Sequence, residues 1–447
     1  MTPLTLEELS LIVGGLEVSG SGLIKGFATD NRQVKPGDLF LAIKGANADG
    51  HDFVADAVRR GAVGALVERP VDGPFVRVEN LVEALAKFGA NFRNRFDGPV
   101  IGITGSAGKT TTKEFLASAL SPLGTILKTV GNRNTEYTAP LLWADLTSDT
   151  SAVVVEMAMR GFGQIAHLAS FSKPTMGVIT NIGYSHLEQM KSREGIAKAK
   201  GELIEALPAD GVAILPEDDD FIGMLRDLAG QRPVLTFGFG KGADCRLIEV
   251  SSDGLGGSVV KGFFADIPWQ TSIPVIGKHL AANAAAAIAA AVTLGLSPQE
   301  AADALCEADL PPMRMQLIDR NGVQILLDAY NAAPPSMIAA IEALAEMEVD
   351  GRRLAVIGEM RELGDQTEAA HRSIGEALVR AGIDEVLFVG EPMRFAKEET
   401  DRAGLRTTLT TIPEEASAFV GRAGRGDAIL IKGSRALALE NAVGGNS

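Results

Sequence analysis

Cysteine is scarce in this chain, with only Cys245 and Cys306 among 447 residues. The two lie far apart and lack the paired spacing of a metal site, which excludes a disulfide framework and fits reduced thiols in a cytosolic protein. Basic residues are in deficit as well. Lys and Arg number 42 against 57 Asp and Glu, a formal net charge of −15, so the field of the whole molecule repels a nucleic-acid backbone. Any anionic ligand must therefore be gripped by a local cluster. The opening MTPLTLEELS shows neither the basic nor the apolar region of a secretory leader, and none is expected. Long apolar runs are missing too. The most apolar stretch, LAANAAAAIAAAVTLGL from Leu280, is mostly alanine and contains Asn283. It falls short of the roughly 20 strongly apolar residues that a membrane span needs. A buried helix is expected there, closed by Gly295, with Ser297-Pro298 opening the next helix.

What is present is a globular balance of 46% hydrophobic and 22% charged residues, with 50 glycines and 20 prolines for turns. A chain of this length divides into several domains. Punctuation at FDGPV from Phe96 and LPPMR from Leu310 sets expected blocks of 1–97, 98–310 and 311–447. In the middle block PVIGITG, SAVVVEM, PTMGVITNIG and DGVAILP alternate with segments long enough for crossover helices, which predicts an α/β fold on a parallel sheet covered on both faces. The last block repeats this pattern with VQILLDAY, RRLAVIGEM, DEVLFVG and GDAILIKGS, and reads as a second, Rossmann-like unit. The first block is mixed α/β, with GDLFLAIKG and AVGALVE as its expected strands.

The segment GITGSAGKTTTKEF, from Gly102, follows the apolar run Pro99-Val100-Ile101. Glycines at such a strand-to-helix turn let successive N–H groups of Gly105, Ser106, Ala107 and Gly108 point into one concavity and hold phosphate oxygens. Lys109 supplies a charge toward the outer phosphates, the Thr110 hydroxyl suits magnesium, and Thr111 continues the turn. Strict Walker spacing asks for glycine where Ile103 stands, so the long motif fails by one residue. Nucleoside triphosphate binding is nonetheless the expectation. Glu156 ends an apolar strand, where a carboxylate is costly unless a cation offsets it. His186 follows GVITNIG on another strand-end loop, and Lys198 and Lys200 lie on a helix about one turn further on.

In that order, TGSAGKTTT, VVVEMAMRGFGQIAHL, TNIGYSHLE and AKAKGELIEAL resemble the central domain of the Mur ligases, ATP-dependent amide-forming enzymes of peptidoglycan synthesis. FATDNRQVKPGDLFLAIKGANADGHDF resembles the family's uridine-nucleotide domain. DAYNAAPPSM, GEMRELG and KGSRALALE resemble members that add D-alanyl-D-alanine to UDP-N-acetylmuramoyl-tripeptide. The resemblance implies a three-domain architecture and a carbamylated Lys200. It further implies two magnesium ions, one held by Thr110 and Glu156, the other by His186 with modified Lys200. Asn283 resembles an adenine contact, Arg314 a domain-boundary arginine that reaches ATP phosphates, and Asp328 with Asn331 residues that close on the nucleotide. Asn132 and Asn134 resemble contacts to the tripeptide substrate. Lys432, Ser434 and Arg435 are expected to hold the incoming dipeptide's carboxylate. Thr29, Asp30, Arg32, Lys44 and Asn47 are expected at the uridine-diphosphate end. The chain departs from the family pattern at Met313, at Ala333 and in GNRNTEY, whose Thr135, Glu136 and Tyr137 replace the usual string.

The expected reaction passes through an acyl phosphate, with the C-terminal block swinging over the site. Lys109, Lys200 and His186 are its expected catalytic groups, in a cytoplasmic monomer with no nucleic-acid partner. A folylpolyglutamate-type ligase lacks the TDNR to DGHDF run. A sister ligase adding diaminopimelate or lysine carries a D-N-P-R-type motif, absent here. A nucleotide-sensing switch is the reading outside enzymology, and it predicts slow turnover of ATP alone.

Overall fold

A computed structural model describes residues 2–45, 48–253 and 257–444 of the chain. It contains three larger sheets in chain order. The first has five strands, in the spatial order Glu17–Ser19, Phe75–Arg77, Gly64–Val67, Asp38–Leu41 and Gly26–Ala28. Its first pair is antiparallel and the rest are parallel. GDLFLAIKG and AVGALVE supply two of these strands.

The central sheet has nine strands. Seven of them, running from Thr125–Lys128 through Thr150–Glu156, Val100–Thr104, Met176–Ile179, Val212–Pro216 and Val234–Gly238 to Cys245–Ser252, are mutually parallel. Two more, Ser258–Phe264 and Ile267–Ile273, extend the sheet as an antiparallel meander. The expected parallel sheet is thus the core of a mixed one. Val100–Thr104 lies between Thr150–Glu156 and Met176–Ile179, which places its carboxyl end at the crevice where the order of connection reverses, the usual ligand position in an open α/β sheet.

The alanine-rich segment is the helix Lys278–Thr293. Its alanines 284–287 and 289–291 are fully buried in a core shared with the helix Lys109–Ala119 and with the C-terminal block. Side chains this small let neighbouring backbones approach closely. Gly295 follows with φ 96°, and Ser297 opens Pro298–Ala304 with a reciprocal capping box to Glu300. The third sheet has the order Gln316–Arg320, Val323–Leu327, Ala428–Lys432, Arg353–Gly358, Glu385–Val389 and Arg406–Thr410. It is parallel except for the hairpin made by its first two strands. No helix among the described residues is long and apolar enough to cross a membrane.

Candidate active site

The turn after Val100–Thr104 can be made only of glycine at its two tight points. A Cβ on Gly105, at φ 156°, would lie 1.8 Å from Thr180 Oγ1, and one on Gly108, at φ 79°, would lie 2.7 Å from Asn283 Nδ2. Residues from the adjacent strand end hold the loop in place. The Thr180 hydroxyl donates to the Ala107 carbonyl (2.5 Å), Asn181 Oδ1 accepts the Ala107 N–H (3.0 Å), and the Asn181 carbonyl accepts the Ser106 N–H (3.1 Å). Lys109 folds back, its Nζ donating to the Gly105 carbonyl at 2.8 Å. Desolvation, followed by Glu156 and Arg314 acting in opposite directions, holds the Lys109 ammonium below its ordinary pKa.

Glu156 is 1% exposed and faces this loop. Its Oε1 accepts from Thr110 Oγ1 (3.2 Å) and Asn134 Nδ2 (2.7 Å), and its backbone N–H donates to Thr129 Oγ1 (3.0 Å). Its Oε2 is buried with no hydrogen-bond partner; the nearest cation, Lys113 Nζ, stands 3.8 Å away. A desolvated carboxylate oxygen beside a threonine hydroxyl suits a hard divalent cation. The described residues contain no group of three His, Cys, Asp or Glu able to hold a metal ion.

Two cavities meet at the loop. The first, about 230 Å³, is bounded by Gly108–Thr111 with Glu156, by Asn132 and Asn134, and on the C-terminal side by Arg314, Asp328 and Asn331. The Arg314 guanidinium lies over the Tyr330 ring, 4.0 Å from its centroid. The second cavity, about 340 Å³, is bounded by Tyr184, His186, Arg361, Glu362, Ser434 and Arg435. Ser106, Lys109, Asn331 and Ala333 border both. His186 Nδ1 is 3.5 Å from Glu362 Oε2. Burial first, then the charges of Lys200 and Lys109, push the His186 pKa down to about 4, so its imidazole is neutral at physiological pH. Lys200 is 2% exposed, and its Nζ has no hydrogen-bond or ion-pair partner among the described residues. Burial, and then Lys109, lower its pKa well below that of an ordinary lysine.

Other expected site residues fall elsewhere. Asn283 lies beneath Gly108, while His279 and Leu280 of the same helix reach the first cavity. The trio expected to clamp the dipeptide carboxylate is divided. Ser434 and Arg435 border the second cavity, but Lys432 is buried against the first, its Nζ donating to Asp328 Oδ2 (2.5 Å) and the Asn331 carbonyl (2.9 Å). Those two oxygens hold the ammonium, and through them Lys432 fixes Asp328 and Asn331. Asp30 pairs with Arg32 (2.7 Å), the Lys44 backbone forms an antiparallel β-bridge with that of Asp49, and neither these residues nor Thr29 border the two cavities. Asn47 lies outside the described residues. Met313 has φ 61° and hydrogen-bonds through its N–H to Gln316. Sequence reasoning did not single out Lys113, His279, Tyr330, Arg361 or Glu362, although four of these lie inside quoted motifs and His279 directly precedes one.

Three family models match the chain in sequence order: the Mur ligase family catalytic domain over 23–93, the Mur ligase middle domain over 103–291, and the Mur ligase glutamate ligase domain over 313–435. The UDP-N-acetylmuramoyl-tripeptide–D-alanyl-D-alanine ligase of Bacillus subtilis is 36% identical over 438 residues, covering 94% of this chain and 93% of its own. The chain is a Mur ligase. The Escherichia coli protein of the same name is 34% identical, with 99% and 98% covered. Among solved structures, MurF from Acinetobacter baumannii superposes on this Mur ligase with a TM-score of 0.89 at 31% identity, covering 99% and 98%. MurF from Thermotoga maritima in complex with ADP gives 0.80 at 32% identity, covering 93% and 96%. The three-domain α/β architecture expected from the sequence is therefore the family's.

Proposed function

We propose that this Mur ligase uses ATP to join D-alanyl-D-alanine to UDP-N-acetylmuramoyl-tripeptide, as the names of its relatives state for them, in cytoplasmic precursor synthesis. One observation carries the reading: the phosphate-loop cavity and the second cavity share Ser106, Lys109, Asn331 and Ala333 as a common wall. A two-step ligation needs this arrangement, because the carboxylate activated on one side must meet an amine arriving from the other. The blocks 1–97, 98–310 and 311–447 are assigned to the UDP-sugar peptide, ATP and the dipeptide respectively.

A carboxylate oxygen of the tripeptide attacks the γ-phosphorus, and the bond to ADP breaks. The dipeptide's neutral amine then adds to the acyl carbon, the tetrahedral intermediate expels phosphate, and the nitrogen loses its proton. Lys109 lowers the repulsion between the two polyanions, and the loop N–H groups hold the transferring group in line. Thr110 and Glu156 would hold magnesium, the unpartnered Oε2 being the free ligand, and the ion supplies further charge neutralisation. Ser434, Arg435 and Arg361 offer hydrogen bonds and charge to the dipeptide carboxylate. Gly105–Thr111 with Arg314, Asp328 and Asn331 enclose the nucleotide, Asn283 backs the loop toward the adenine, and Asn132 with Asn134 face the tripeptide. Thr29, Asp30, Arg32, Lys44 and Asn47 are assigned to the uridine diphosphate.

Lys200 fits carbamylation on physical grounds. Burial beside another cation favours the uncharged amine, which is the form that adds to CO₂ with loss of a proton to give an anion. Such an anion would be offset by Lys109, and together with neutral His186 it would hold a second magnesium. Phosphate release that requires both UDP-N-acetylmuramoyl-tripeptide and D-alanyl-D-alanine is the expected assay result. ATP turnover indifferent to both would overturn the reading in favour of a nucleotide switch.

A further inference from the structure

Lys113 lies one turn beyond Lys109 on the helix Lys109–Ala119, and its side chain is 0% exposed. Its Nζ is 3.1 Å from Glu114 Oε1, 3.8 Å from Glu156 Oε2, and donates to the Gly131 carbonyl at 3.1 Å. Glu114, itself buried, turns its other oxygen to Lys128 at the end of the strand Thr125–Lys128. The segment 129–134 is therefore tied at successive points: just before it at Lys128 through Glu114, at Thr129 and Asn134 through Glu156, and at Gly131 through Lys113. Asn132 and Asn134 of that segment border the phosphate-loop cavity.

Burying so many charges is not an economical way to stabilise a fold, since well-packed apolar residues of similar size often do as well or better. What such a network does supply is fixed geometry. We infer that Lys113 is a positioning residue that sets the register between the substrate-facing segment 129–134 and the Glu156 carboxylate, so that the carboxylate substrate and the nucleotide meet in line. This rests on the proposed function, in which Asn132 and Asn134 face the UDP-sugar peptide.

The test uses the full chain carrying Lys113→Met, similar in length but uncharged, and the double variant Lys113→Met/Glu114→Gln, which leaves less uncompensated charge buried if the single one folds poorly. Calorimetric titration of UDP-N-acetylmuramoyl-tripeptide into nucleotide-free protein should show affinity weakened about tenfold in either folded variant. The KM for the same substrate should rise in parallel while the KM for ATP stays within about threefold. Unchanged affinity for the UDP-sugar peptide in both variants, or equal losses for it and ATP, would overturn the inference. Wild-type protein that binds no UDP-sugar peptide would instead overturn the functional reading on which it rests.

Discussion

At the scale of single residues, the site is built by positions that allow almost no alternative. Gly105 combines a left-handed-side φ with a Cβ position already filled by Thr180 Oγ1. Gly105→Ala should thus displace the loop and weaken binding of a non-hydrolysable ATP analogue by at least about tenfold. Fluorescence titration of the analogue checks this, and undiminished affinity would show that the loop does not hold the phosphates. Glu156 and Lys109 were legible in sequence because their positions followed from a strand end and a glycine turn. Lys113 was not, because a lysine inside TTTKEF has the pattern of a solvated helix face. Only the tertiary fold brings Gly131, Glu114 and Glu156 around it. Lys432 shows what a motif leaves out: a basic residue there invites a ligand, and only the fold reveals its buried ion pair with Asp328.

At the scale of elements, continuous apolar runs were the readable signal, and each named run in the two α/β blocks is a strand. The strands Ser258–Phe264 and Ile267–Ile273 escaped because they are antiparallel and partly exposed, with buried residues alternating with exposed ones in place of an apolar run. Helix ends were readable where side chains close them. Ser297→Ala removes the hydroxyl half of the capping box, which accepts the Glu300 N–H and donates to its carboxylate, and should cost about 1 kcal/mol of stability in denaturant unfolding. A smaller loss than a few tenths would mean that the alanine helix before it, not the cap, fixes this junction.

For the whole molecule, acid sensitivity follows from a histidine buried without charge. His371 is fully buried; its Nδ1–H donates to the Thr367 carbonyl (2.6 Å) while Nε2 accepts the Met360 N–H (3.1 Å). Burial, opposed by the Thr367 carbonyl and Glu359, lowers its pKa. Because the folded value lies below the unfolded value of about 6.5, its contribution is complete above that pH and is lost as the pH falls toward the folded value. Between pH 7 and 5, wild-type stability should therefore fall more steeply than that of His371→Gln, by up to about 1.4 kcal/mol per pH unit. Denaturant melts at the two pH values decide it, and identical slopes would remove His371 from the explanation.

The bond from Lys109 to the Gly105 carbonyl has a consequence for how a nucleotide arrives. That ammonium is partly buried and rests on an oxygen of its own turn. In the proposed reaction an incoming phosphate would exchange places with that carbonyl, and a short torsional swing of one side chain would suffice for capture.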